Sequence, residues 1–186
     1  MKLKIQWLLV AVSLLWGGAQ GAVLEVQPSV TTVQLDDPFE VTVELDDAFD
    51  LAGFQFTLVY DATHLEALYL TSGDLFGVDG YSVDQSLGNG QARLSEITLA
   101  FDGIDVDAPT PLGTLGFRAV APGTALLELT DVVLSDSLGG SLPVDLQNGE
   151  VSIQGNPVPE ASLPLLMGVA GLLLVRRFRR KPISAR

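Results

Sequence analysis

An all-β sandwich is the fold this sequence predicts, and three observations predict it. Apolar and polar side chains alternate in short runs, most clearly at 39–45, where Phe39, Val41, Val43 and Leu45 interleave with Glu40, Thr42 and Glu44. Alternation of this kind gives a strand with one buried face and one wet face. Turn-forming groups such as Asp36-Asp37-Pro38, Gly88-Asn89-Gly90, Pro109-Thr110-Pro111, Pro122-Gly123 and Asn148-Gly149 punctuate the runs at short intervals. The 186 residues contain no cysteine, so stability must come from an apolar core and not from disulfides or a thiolate metal site.

Taken in order, strands are expected at 23–27, 30–35 and 39–45, then at 54–60, where Phe54, Phe56, Leu58 and Tyr60 share a face. Further strands follow at 93–101, at 115–119 with Leu115, Phe117 and Ala119 inward, and at 125–129, 131–134 and 150–154. That makes about nine. Leu65 and Leu68 stand three apart, so 62–70 is read as the one stretch able to hold a helical turn. Residues 22–154 form one domain of ordinary size, with no internal repeat.

Both ends differ from this body. Lys2 and Lys4 precede an apolar run from Ile5 to Trp16, with small residues at Ala19 and Gly21. Residues 1–21 therefore read as a secretory signal peptide, cut by signal peptidase between Gly21 and Ala22 or just after Ala22. At the other end, a proline-bearing linker at 155–162 leads into an apolar segment at 163–175 and a basic tail at 176–186. The fifteen residues from Ala161 to Val175 give about 22 Å of helix, against a hydrocarbon core of about 30 Å. The segment is thus a short transmembrane helix. Arg176, Arg177, Arg179, Arg180 and Lys181 act as its stop-transfer cluster on the cytoplasmic side.

Charge follows the same division. The chain carries −13 overall, yet all twenty-three Asp and Glu residues fall between Glu25 and Glu160, where Arg93 and Arg118 are the only cations. The exported portion is therefore near −21. Such a charge keeps a domain soluble and makes nucleic acid an unfavourable partner.

The C-terminal layout resembles the PEP-CTERM sorting signal: Pro159 and Glu160 match the tripeptide, Ala161 stands where the third residue is usually proline, and the short helix and Arg-rich end follow. The resemblance implies recognition and cleavage by an exosortase-type enzyme. The precursor would sit in the inner membrane, and the mature protein at the surface or in the extracellular matrix of a Gram-negative bacterium.

Within the body, Leu51-Ala-Gly-Phe-Gln-Phe-Thr-Leu-Val-Tyr-Asp61, then Ser72-Gly73-Asp74-Leu75-Phe76, Gly113-Thr-Leu-Gly-Phe-Arg-Ala119 and the closing Asn148-Gly-Glu-Val-Ser-Ile153 resemble a cohesin domain. The resemblance implies a nine-stranded jelly-roll sandwich that docks a small calcium-loaded dockerin domain on one sheet face. It also implies a non-enzymatic protein, and it transfers no docking residue by number.

Three candidate sites remain. Asp102, Asp105 and Asp107 surround Gly103 in a loop able to wrap calcium, although the spacing is not that of an EF-hand. Acidic pairs elsewhere, at Asp36-Asp37 and at Asp46-Asp47 with Asp50, read as turn residues that cap backbone N–H groups. His64 is the only histidine and no nucleophile-elbow motif surrounds any serine, so no catalytic residue is assigned. Tyr69 and Tyr81 are the loop-proximal aromatics that could stack on sugar. They carry the alternative of a carbohydrate-binding module acting on exopolysaccharide. A structural spacer without a specific ligand is the third reading.

Overall fold

The computed structural model describes residues 21–88 and 90–155. Twelve strands follow one another: β1 Ala22–Gln27, β2 Val30–Gln34, β3 Pro38–Asp46, β4 Ala48–Tyr60, β5 Leu65–Ser72, β6 Gly80–Leu87, β7 Gln91–Thr98, β8 Ile104–Val106, β9 Thr110–Ala119, β10 Gly123–Asp136, β11 Val144–Gln147 and β12 Gly149–Gln154. A single 3-10 turn at Gly77–Asp79 is the helical content of the described residues. One sheet has the order β11-β1-β3-β9-β5; the other runs β2-β12-β10-β4-β7-β6, with β8 paired to β4 beyond the end of β7. Between β1 and β2 the chain crosses from one sheet to the other. The parallel pairs β1–β11 and β2–β12 close the two sheets at that side.

The alternation read from the sequence is what packs the sandwich. Val41, Val43 and Leu45 of β3 are at most 1 % exposed, as are Phe56 and Leu58 of β4 and Leu115 and Phe117 of β9. Phe117 joins the two sheets: its ring lies 5.7 Å from that of Phe39 and 5.1 Å from that of Tyr60, the latter edge-on. Every fully buried apolar side chain of the described residues lies between Ala22 and Ile153, so the unit encloses its own core.

Four sequence expectations need correction. The helical turn expected at 62–70 is the strand β5, with only the turn at 61–64 before it. Leu65 is buried while Leu68 is 39 % exposed, because pairing with β9 imposes the two-residue period and a bulge between Ala67 and Tyr69. The strands expected at 125–129 and 131–134 are one strand, β10, interrupted at Asp131, where φ is +50° and the register with β4 shifts. Pro109-Thr110-Pro111 is not simply a turn: β9 begins at Thr110, and Pro111 is tolerated where the β3–β9 register slips between Val43 and Glu44. The count rises from about nine to twelve because the merger into β10 removes one and β5, β6, β8 and β11 add four; β6 and β11 are mostly exposed and β8 has three residues, so none of these three leaves an apolar face to read.

Candidate docking surface

The two sheets present very different outer faces. On the five-stranded sheet, residues paired across the outward register are Asp145 on β11, Glu25 on β1, Glu40, Glu44 and Asp46 on β3, and Glu66 on β5. Arg118 on β9, 3.6 Å from Glu66, is the cation among them. Covering this face would strip water from many like charges, which is costly.

Tyr69 lies on that acidic face. Its ring occupies the space over Gly116, where a Cβ would come within 2.3 Å of Tyr69 Cε1. Its hydroxyl donates to Glu40 Oε1. The Glu40 carboxylate that accepts this proton, helped by desolvation, holds the phenol above its ordinary value. The ring is thus laid flat on the sheet and tied down.

The outer face of the seven-stranded sheet carries Val133 and Glu128 on β10, Val59 and Gln55 on β4, Arg93 and Ile97 on β7, and Tyr81 and Asp84 on β6. Tyr81 (56 %), Val133 (49 %), Ile97 (39 %) and Val59 (37 %) expose apolar surface here. Tyr81 and Ile97 are directly paired, so they form one patch at the β6 edge.

A polar network organises the centre of this face. Gln55 Nε2 donates to the Asp131 carbonyl at 3.1 Å, on the bulge of β10. Gln55 Oε1 accepts from Arg93 Nη2 at 2.6 Å. Arg93 Nε is 3.3 Å from Asp84 Oδ2, close enough for ion pairing, yet it is buried and has no hydrogen-bond acceptor among the described residues. The Nε is out of reach, but the rest of the partly exposed guanidinium is held in place as a donor for an incoming acceptor. The face therefore offers apolar area, fewer carboxylates than the other sheet, and a preset hydrogen-bonding centre.

The remaining sequence-predicted residues fall as follows. Asp102, Asp105 and Asp107 are all exposed, and Asp105 sits on β8 with its carboxylate accepting the Asp50 N–H at 3.0 Å. Among the described residues no three acidic or histidine side chains converge into a group able to hold a metal, so the loop does not gather these three around one point. Asp50 behaves as the capping reading expects. Its carboxylate accepts from Ser137 Oγ at 2.7 Å and from the N–H groups of Gly103 and Ser137 at 3.0 and 3.3 Å. The Ser137 hydroxyl above all holds it below the usual carboxylate range. Tyr69 and Tyr81 stand in strands, not loops, and on different sheets, so no single sugar platform can use both. His64 closes the turn before β5, its Nδ1 2.9 Å from Asp61 Oδ2 and its Nε2 against Gly123.

Gly21 abuts the Pro143 carbonyl, and Ala22 is the first residue of β1. Pro159, Glu160, Ala161 and the basic cluster Arg176, Arg177, Arg179, Arg180 and Lys181 lie outside the described residues. The sequence reading missed Gln55, Arg93, Ile97 and Val133. The one signal for them is Ile97 and Val133, apolar residues at positions whose register faces water.

A family model for the cohesin domain matches residues 24–153. No curated protein sequence matches the chain. Among solved structures, a non-cellulosomal cohesin from the archaeon Archaeoglobus fulgidus superposes with a TM-score of 0.60 at 20% identity, covering 73% of this chain and 92% of that one. The sixth cohesin of scaffoldin B from Acetivibrio cellulolyticus, solved in complex with a Cel5 dockerin, gives 0.60 at 19% identity, covering 73% and 100%. A type I cohesin–dockerin complex from Clostridium thermocellum gives 0.60 at 15%, again covering 73% and 100%. At these identities the likeness is one of fold, and it agrees with the two-sheet topology described above. With the family model spanning residues 24–153, nearly the whole sandwich, the chain belongs to the cohesin domain family.

Proposed function

We propose that this protein is a non-enzymatic, exported surface or matrix protein whose sandwich docks a dockerin-type protein partner on the outer face of the seven-stranded sheet. The observation that carries the reading is the contrast between the two faces: one is lined with carboxylates, the other joins Tyr81, Ile97 and Val133 to the Gln55–Arg93 centre. Cohesins of the same fold from Acetivibrio cellulolyticus and Clostridium thermocellum were solved with dockerins bound. Delivery would use the signal peptide at 1–21 and the PEP-CTERM tail, with an exosortase-type enzyme acting near Pro159-Glu160-Ala161. Support for that route comes from the sequence pattern.

The test is capture by immobilised residues 21–155 from the source organism's secreted proteins and polysaccharide, with and without calcium. A calcium-dependent protein that is lost with Ile97→Asp and Val133→Asp is the expected result. Polysaccharide retained in place of protein, or a partner indifferent to both substitutions, would overturn the assignment.

A further inference from the structure

One end of the sandwich carries four large apolar side chains that the fold leaves in water: Phe49 is 75 % exposed, Leu99 67 %, Phe101 99 % and Leu138 92 %. They come from three separate segments: the start of β4, the loop between β7 and β8, and the turn after β10. Asp50 fastens these segments to one another. Its N–H donates to Asp105, and its carboxylate takes the Gly103 N–H and both donors of Ser137. Gly103 packs so tightly that a Cβ there would lie 2.3 Å from the Asp50 carbonyl oxygen. The turn holding Leu138 is fixed again by Asp136, whose Oδ1 accepts from the N–H groups of Leu138 and Gly140. These hydrophobes are therefore held outward on tied loops, and ordered apolar groups held in water mark a binding surface.

Charge narrows the occupant. Exposed Asp47, Asp102, Asp105 and Asp107 and half-buried Asp136 surround the four side chains or lie between them in sequence. The two cations of the described residues are elsewhere: Arg93 pairs with Asp84 on the sheet face, and Arg118 pairs with Glu66 beside the start of β3. A second copy meeting end to end would bring two acidic rims together, and an anionic lipid surface would be repelled in the same way. The C-terminal side of the chain leaves the sandwich from the opposite end, whereas β1 begins at this one, with Val23 paired to Asp46. Ile153 pairs with Gly123 at the start of β10, whereas Ser137 follows its far end, a strand length of about 45 Å away.

We infer that the Asp50-tied end of the sandwich is a second docking surface, separate from the sheet face, and that it takes a protein segment presenting apolar side chains flanked by lysine or arginine. The hydrophobes enter the partner and the aspartate rim meets its cations.

The probe is a synthetic amphipathic peptide with one leucine face and one lysine face, titrated against residues 21–155, the unit that encloses its own core. Saturable binding is expected that weakens at least about tenfold in the double variant Phe101→Ser with Leu138→Ser and falls as salt is raised. Val30→Ser, at another exposed apolar residue on the remote strand β2, should leave it unchanged. Because the substituted side chains make almost no packing contact, the unfolding midpoint should stay put; Phe49→Ser gives an independent second variant. Equal affinity in the double variant, or binding sensitive only to salt, would overturn the inference. So would retention on zwitterionic lipid vesicles that the double variant loses, or concentration-dependent self-association through Phe101, since each names a different occupant.

Discussion

Phe117 packs its ring against both sheets, and truncating it to alanine gives a quantitative test of the packing. The ring is fully buried and meets Phe39 and Tyr60 at 5.7 and 5.1 Å, so its removal takes contacts from both layers at once. Loss of a buried phenylalanine costs about 3–5 kcal/mol, since the walls collapse only partly into the space. A unit of this size lies about 7–20 kcal/mol below its unfolded state in free energy, so Phe117→Ala should remain folded with much reduced stability. With a urea slope of about 1–3 kcal/mol per molar, the midpoint should fall by roughly 1–5 M. Phe117→Leu, which keeps most of the volume, should cost about 1–2 kcal/mol. Urea unfolding of residues 21–155, followed by tyrosine fluorescence and far-ultraviolet dichroism, reads all of these values. A loss below about 1 kcal/mol for the alanine variant, comparable with a surface change such as Val30→Ser, would refute the argument that Phe117 couples the sheets.

Three further outcomes are expected, two from the geometry and one from the sequence pattern of the tail. Asp61, held at about 2 by the Thr63 hydroxyl and N–H and by His64, has a folded value below its unfolded one. Its contribution is therefore present above the ordinary carboxylate range and disappears as pH falls toward 2, and carboxyl-resolved NMR titration should show a midpoint there that His64→Ala moves up. Tyr69, raised by Glu40, contributes in the opposite sense: its effect is complete below the ordinary phenol value and is lost as pH rises through the folded one. Ultraviolet titration should find its midpoint lowered by Glu40→Gln. Gly116→Ala should lower it as well, because the new Cβ evicts the ring. Replacing Pro159 and Glu160 should leave the C-terminal tail uncleaved, seen as retained precursor mass in membranes; unchanged processing would remove the exosortase reading.

How much of this was legible in the sequence depends on whether a side chain's role is set locally. The strands β3, β4, β9 and β12 were readable because one face of each is buried, and burial leaves a two-residue alternation. Turn chemistry was readable at Asp36, Asp47 and Asp50; all five non-glycine residues at positive φ among the described residues are aspartates, the type that tolerates that backbone, although Asp131 had read as strand. The family resemblance could be read for the same reason, since it rests on packing and turn residues.

The candidate surface was not legible, because it is a product of register. Nothing near Arg93 in sequence says that Gln55 will lie across from it or that Asp84 will meet its guanidinium; pairing among β4, β6 and β7 decides both. The bulges at Asp131 and between Ala67 and Tyr69 shift side chains between faces without changing composition, so two expected strands merged and an expected helical turn became β5. Tyr69 and Tyr81 look alike in sequence, but one is laid over Gly116 on an acidic face and the other stands exposed on the opposite sheet. By itself the sequence determined that the body is a single all-β domain of this family, with its charge and its turn residues in place, because those properties belong to short stretches of chain. Tertiary structure alone decided which carboxylates gather on one face, which hydrophobes remain in water and which loops Asp50 ties together, because strand pairing sets those neighbours between residues distant in the chain.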